Sequence, residues 1–484
     1  MIWNFIKKYK FWLIVTFIFL LLRLPSLFEP YWYGDEGIYL VLGKAIRHGW
    51  VLYRQIHDNK PPTLYYLAAI SQTVFGFRLL LMLWMVPTIY IFHLISKNFY
   101  SSTLSKLSTL VFLFLTSIPL FEGNIANAEI FMLLPTLLAV YIFFKYKSHY
   151  SLLLVGLLLG ISFSIKVPVV FELVALCFYL LITNFSFKKI KFLISSYLLL
   201  IIGFILPIAL WAVYFYFHQA ISEFTFAALL QNFGYLSSWA TGSHSGSATS
   251  SGLISRGLIL LAGWLLICLL YFFKKINQKT VFTTLWLSST IFASLLSTRP
   301  YPHYLIFTFP SLCLCIFYFF SQTNFLEKTL SVVFIAVLVF SFFHYKFYVY
   351  PVFSYYSNIY NFVIGQKSVE EYRQYFGSEI NQIYQLSDWL KSNTKSDETL
   401  FIWSDQPDVY ALADRLPVGR FTVAYHVVDF QQYDYIMNQL EIYTPNIIVF
   451  YSNYPHQFPQ LEKFLSLFYF PDHAIGQAII FRRH

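Results

Sequence analysis

Of the 484 residues, 58% are hydrophobic and 12% charged, about half the charged share of an ordinary soluble domain (~25%), which excludes a water-solvated globule for most of the chain. The net charge of +10 is unevenly spread: the first 366 residues carry 24 basic against 9 acidic residues, while residues 367–484 carry 14 acidic against 9 basic. The cations sit in short clusters between apolar runs, as membrane topology signals do, rather than along a phosphate-tracking stripe, so nucleic acid is excluded as a partner.

In chain order, Lys7, Lys8 and Lys10 precede an apolar run, Phe11–Phe28, that is long enough to span and has no small-residue cleavage site after it. It reads as an uncleaved first helix. Further spans are predicted near 77–95, 102–121, 128–145, 150–166, 168–184, 192–217, 254–273, 280–297, 303–320 and 327–347. Lys97/Lys106, Lys145/Lys147, Lys188/Lys189/Lys191, Lys274/Lys275/Lys279 and Lys328 fall between alternate pairs of these. The positive-inside rule then gives a multi-pass cell-membrane protein of about eleven spans, N-terminus cytoplasmic and C-terminal domain extracytoplasmic. Segment 62–76 is apolar but too short to cross without breaking the charge alternation, so an interfacial or re-entrant helix is expected. Residues 237–252, rich in serine and glycine, read as a flexible loop with no G-x-S-x-G elbow. The four cysteines lie inside apolar segments and suggest neither a disulfide framework nor a metal site.

After residue 365 the pattern changes. Helical stretches near 369–393, 406–412, 429–441 and 458–467 alternate with apolar strands near 398–403, 446–451 and 477–481, which predicts a small α/β domain with a mostly parallel sheet. The division expected is a polytopic helical domain over 1–347, with its outer loop at 30–76, and an extracytoplasmic α/β domain over 348–484.

Ionisable residues inside a spanning helix cost about 2.5–3.5 kcal/mol each on the insertion scale, so those near a bilayer need a reason. The first 366 residues hold nine carboxylates, and five of them (Asp35, Glu36, Asp58, Glu122 and Glu129) lie in or beside the first two outward loops. Asp35 and Glu36 follow the first span directly, flanked by Gly34 and Gly37; repulsion and desolvation there favour a proton acceptor. Asp58 and Lys60 precede Pro61-Pro62, and Lys60 at a helix entrance suits a lipid phosphate, as does Arg78 at the start of the second span. Snorkelling to headgroups is the competing role for both cations. Asn127 and Glu129 form a third group, where Glu129 could also complement a helix dipole. Arg299, His303 and Tyr304 form a fourth, held by Pro300 and Pro302. Carboxylates and cations beside an apolar groove suit a substrate with a long apolar tail and a phosphate head. Displacing that phosphate from a sugar carbon needs a base and cationic stabilisation of the leaving anion.

Asp35-Glu36 after the first helix, Lys60-Pro61-Pro62, and the run Arg299 to Tyr304 resemble the GT-C glycosyltransferases, and among them the family 39-like group of protein O-mannosyltransferases and the lipid A aminoarabinose transferase. The segment Trp403 to Phe421, with Pro407, Tyr410, Arg415, Pro417 and Arg420, resembles the C-terminal domain of prokaryotic members. The resemblance implies a polyprenyl-phosphate (undecaprenyl- or dolichyl-type) sugar donor, an inverting transfer to a protein, lipid or glycan acceptor, and Asp35 as base beside Glu36. It further implies Lys60, Arg78 and Arg299 at the donor phosphate, and Asp58, Asn127, Glu129, His303 and Tyr304 on the substrate. No cofactor is required by this chemistry, and no ligand cluster demands a divalent metal. A lipid-sugar transporter or flippase is the alternative, for which Glu172 and Lys166 are the candidate midplane charges.

Overall fold

The computed structural model describes residues 2–146, 148–231, 248–296 and 301–484. Arg299, Lys147 and most of the loop expected at 237–252 lie outside the described residues. Among the described residues, seven helices are long and apolar enough to cross a membrane by length and composition: Tyr9–Phe28, Val74–Ser96, Ala128–Lys145, Val167–Asn184, Ile190–Phe217, Ile254–Phe272 and Phe325–His344. Shorter apolar helices occupy Ser102–Leu115, Ser151–Phe163 and Pro302–Tyr318. The chain is thus a polytopic α-helical membrane protein carrying a small sheet domain towards its C-terminal end. The segment expected to lie at the interface forms a short helix, Thr63–Ser71, and a separate helix starts at Val74.

Contacts divide the chain into two compact units: Met1–Ser26, Leu80–Tyr214 and Ala228–Val352 in the first; Leu27–Leu79, Phe215–Ala227 and Phe353–His484 in the second. The first unit is helical. Its helices Ser151–Phe163 and Ile190–Phe217 approach backbone to backbone: a Cβ on Gly156 would lie 2.1 Å from the Leu200 carbonyl oxygen, and one on Gly203 2.2 Å from that of Leu153. Small residues are what permit such an approach where no hydrophobic effect drives helices together. Arg23 is buried at the end of the first helix and donates from Nε to Ser117 Oγ (3.2 Å) and from Nη2 to the Thr116 carbonyl (2.6 Å). That contact fixes the turn leading to Glu122.

The second unit is built on a five-stranded sheet in the order β2-β1-β3-β5-β4, with β1 at Thr399–Trp403, β2 at Leu416–Pro417, β3 at Ile447–Tyr451, β4 at Tyr469–Ile475 and β5 at Ala478–Arg483. β1 pairs parallel with β2 and β3, whereas β3–β5 and β5–β4 are antiparallel. The sheet is therefore mixed, which corrects the mostly parallel expectation. The reason is local: β4 and β5 are joined by a tight turn through Gly476 (φ +59°) with no crossover helix, and a connection that short makes strands antiparallel.

Alternation along the strands buries both faces of this sheet. Leu400, Ile402, Ile447, Val449, Ala478 and Ile480 pack against Ile380, Ile383, Leu386 and Leu390 of helix Ile380–Asn393. Phe401, Trp403 and Ile448 face Ile436 and Leu440 of helix Tyr433–Tyr443, with Leu461 and Phe464 of helix Pro459–Phe468. Val41, from helix Gly34–Arg47, joins the first of these cores. The loop that the sequence reading kept with the spans thus packs with the C-terminal residues.

Candidate active site

In the second unit, Asp35 and Glu36 occupy the first turn of helix Gly34–Arg47, where the helix dipole favours negative charge. They diverge completely in environment. Glu36 is buried and takes the Arg78 guanidinium, with Nε 2.9 Å from Oε1. Arg78 Nη1 lies 2.7 Å from Glu29 Oε2, and the Arg78 side chain is 0% exposed. Glu29 also accepts from Trp32 Nε1 (2.8 Å) and from the Tyr355 hydroxyl. One guanidinium therefore sits between two buried carboxylates. Arg78, expected at a lipid phosphate, has this pair as its partners here.

Asp408, which the sequence reading did not single out, stands beside the same network. Helix Pro407–Ala413 lies so close to helix Gly34–Arg47 that a Cβ on Gly37 would come 2.5 Å from Asp408 Oδ1 and 3.0 Å from the Asp408 backbone nitrogen, so a larger residue would force Asp408 to shift. Burial, with Glu36 nearby, pushes the Asp408 carboxyl up to about 8, so it is protonated at neutral pH. At the far end of helix Gly34–Arg47, Lys44 Nζ bonds Asp414 Oδ1 at 2.6 Å.

Asp35, by contrast, is 32% exposed. It accepts from the Tyr39 hydroxyl (2.8 Å) and lies 3.2 Å from Lys60 Nζ. Lys60 Nζ is also 3.8 Å from Asp58 Oδ2 and 4.9 Å from the centre of the Tyr39 ring. Asp58 is 1% exposed, accepts from the Tyr65 hydroxyl (2.8 Å), and has His426 Nε2 3.7 Å from Oδ1. Burial holds the Tyr53 and Tyr65 phenols well above their ordinary range, so both remain donors. Tyr53 donates to the Lys60 carbonyl (2.7 Å), and the Lys60 amide donates to Tyr65 (3.0 Å). Burial pushes His426 below its usual range and keeps it neutral. The result is a cation bracketed by two carboxylates, one buried and one open to a ligand.

The first unit holds a second cluster. Glu122, in a left-handed conformation (φ 56°), accepts from His303 Nδ1 and from Asn127 Nδ2 (3.4 Å). Glu129 Oε1 lies 2.7 Å from Lys166 Nζ and 3.8 Å from His303 Nε2. Lys166 Nζ sits 5.5 Å from the centre of the Tyr304 ring, and Tyr301 stacks on His303 at 5.6 Å. The structure thus brings Asn127, Glu129, His303 and Tyr304 together, and adds Glu122 and Lys166. Sequence reasoning noted both residues but did not place them in a site; their signal was a charge beside an apolar run. Among the described residues, no group of three or more His, Cys, Asp or Glu is placed to hold a metal ion.

The family model for dolichyl-phosphate-mannose-protein mannosyltransferases matches residues 59–211. A search of curated proteins finds no match to the chain. Among solved structures, the chain is similar to ArnT from Cupriavidus metallidurans bound to undecaprenyl phosphate, with a TM-score of 0.60 at 11% identity over 98% of both chains. Its likeness to ArnT in the apo state has a TM-score of 0.50 at 12% identity, again over 98% of both. The oligosaccharyltransferase of Archaeoglobus fulgidus in the apo form matches with a TM-score of 0.48 at 12% identity, over 92% of this chain and 70% of that one. In fold over nearly its whole length, and in sequence over residues 59–211, the chain resembles the GT-C type of membrane glycosyltransferase.

Proposed function

We propose that this chain transfers a sugar from a polyprenyl-phosphate carrier to an acceptor hydroxyl on the extracytoplasmic face, with inversion and with Asp35 as base. The observation that carries the reading is the Asp35–Lys60–Asp58 cluster, in which a part-exposed carboxylate lies 3.2 Å from the lysine. The fold match to a protein crystallised with undecaprenyl phosphate supports the donor class. In the reaction, the acceptor oxygen attacks the anomeric carbon as its proton passes to Asp35, and the sugar–phosphate bond breaks. The electron pair leaves on the polyprenyl phosphate. Phosphate is a good leaving anion, so one base and a cation suffice and inversion follows from the single displacement.

Lys60 is assigned to the phosphate: as a point charge held between two carboxylates, it can give up one of them when the anion arrives. Tyr39 orients Asp35. Asp58 is assigned to holding Lys60, and Glu36 to positioning the helix turn through Arg78. Asn127, Glu129, His303 and Tyr304 are assigned to substrate binding, and Arg299 to the donor phosphate, on the sequence resemblance. The orientation follows from the lysine clusters.

The test is release of free polyprenyl phosphate from labelled polyprenyl-phosphate sugars, comparing wild type with Asp35→Asn. Loss of a positioned base costs about 10²–10⁴-fold in rate, so turnover should fall by that factor while the donor still binds. Unchanged turnover would remove Asp35 as base. Transport of intact donor without its consumption would move the transporter reading ahead.

A further inference from the structure

Two cavities in the second unit lie outside the Asp35–Lys60–Asp58 cluster, the smaller sharing Tyr53 with it. One, of about 210 Å³, is lined by Tyr53, His57, Arg420, Gln432 and the Glu223 carboxylate, with Phe226, Phe421 and Phe430. Its neighbour, of about 470 Å³, takes Trp50, Arg54, Gln55, Tyr435, Gln439 and Tyr443. Arg420 and Tyr435 form a wall between them, the guanidinium lying 5.1 Å from the ring centre. Each cavity therefore offers an arginine, aromatic faces and a side-chain amide.

Two backbone amides of these walls are already paired: that of His57 donates to the Arg420 carbonyl (2.8 Å) and that of Val418 to the Leu400 carbonyl (2.8 Å). The side chains lining both cavities, arginine, glutamine and aromatic rings, suit hydroxyl-rich rings. Arg420 Nη2 donates to Gln432 Oε1 (3.0 Å), but its buried Nε has no partner among the described residues. The Phe421 and Phe430 rings lie 6.2 Å apart at 29° to one another. The charged lining of the two cavities together is Arg54 and Arg420 against Glu223, a positive balance of one. The smaller cavity connects to the catalytic cluster through rings: His57 lies 5.6 Å from His426, whose Nε2 is 3.7 Å from Asp58.

We propose that these two cavities form the acceptor site and take adjoining units of an acidic glycan, a sugar bearing a carboxylate or phosphate lying against Arg420. As an acceptor site, this rests on the transferase reading. The smaller cavity, nearer the catalytic cluster, holds the unit next to the one that receives the sugar, and the larger one holds its neighbour.

Purified full-length protein is titrated with oligogalacturonate, mannose 6-phosphate, the neutral maltotriose and acidic peptides, and binding is read by thermophoresis. The acidic sugars should bind, at least tenfold more tightly than maltotriose, and more weakly as salt is raised. A charged hydrogen bond contributes about 1.5–3 kcal/mol, or roughly 10- to 150-fold, so Arg420→Gln should lose at least tenfold. Arg54→Gln, at an exposed position, weakens oligogalacturonate in the same direction and serves should Arg420→Gln not fold. The ratio of uronate to phosphate binding identifies the acid. Preference for peptides, equal affinity for neutral and acidic sugars, or no loss in either variant overturns the site. Donor consumption by wild type is measured in the same preparation. Acidic sugars bound without donor consumption leave the pocket standing and sink the transferase reading; donor consumed with no sugar bound does the reverse.

Discussion

Glu36 and Asp35 are neighbours in sequence with different work because one faces inwards. Arg78 compensates Glu36 and Glu29 together, and removing one partner of a buried ion pair costs about 3–5 kcal/mol because the other charge is left uncompensated. Arg78→Met should therefore lower the melting temperature sharply in detergent and give little folded protein, while Arg78→Lys recovers only part because one ammonium cannot span both carboxylates. Retention of the wild-type melting temperature in Arg78→Met would show that the network contributes no stability. Asp408 gives a pH signature of definite sign. An unfolded aspartate titrates near 3.9 (about 4), and Asp408 in the fold keeps its proton to about pH 8. Between these values the folded state binds a proton that the unfolded chain has released, so this group's contribution falls as pH rises from about 4 to about 8. Asp408→Asn, with no proton to lose, should gain stability relative to wild type as pH rises through that window. A constant difference in melting temperature across pH would place the titration elsewhere.

At the scale of elements, Gly156 and Gly203 each meet the opposite backbone. Added volume in a tight contact costs about 1–3 kcal/mol, so Gly156→Ala and Gly203→Ala should each lower thermal stability, and the double variant should lose less than the sum because one helix separation relieves both clashes. Additive losses would mean the two contacts yield independently. Most elements were legible in the sequence for the same reason these helices form: apolar periodicity is local. The strands at 399–403, 447–451 and 478–483 lie close to their expected places because their residues alternate between two buried faces. β4 was not foreseen, since most of Tyr469–Ile475 is exposed and carries a proline and an aspartate. The partners of the candidate site were less legible still. Asp35, Asp58 and Lys60 stand close in the chain, but Arg78 between Glu29 and Glu36, Asp408 beside Gly37, and His426 beside Asp58 depend on packing that no local pattern encodes. Arg78 at the start of an apolar run looks the same in sequence whether it meets lipid or a carboxylate.

For the whole molecule, the second unit gathers three separate stretches of chain, with residues 27–79 packed among 353–484. Val41 and Trp32 find their apolar neighbours on helices and strands beyond residue 376. A chain ending after Val352 should therefore express with residues 27–79 open to limited proteolysis and with no polyprenyl phosphate released from a labelled donor. If that shortened protein stays protease-resistant and consumes donor, the outer loop is self-sufficient and the division into units misassigns it.

The same interleaving sets an order in time. The loop with Asp35 is synthesised early, yet the residues that share a core with its Val41, from Ile380 to Ile480, come late in the chain. Translation therefore delivers the loop well before its packing partners, and the Asp35 turn acquires its folded surroundings only once those residues have been made.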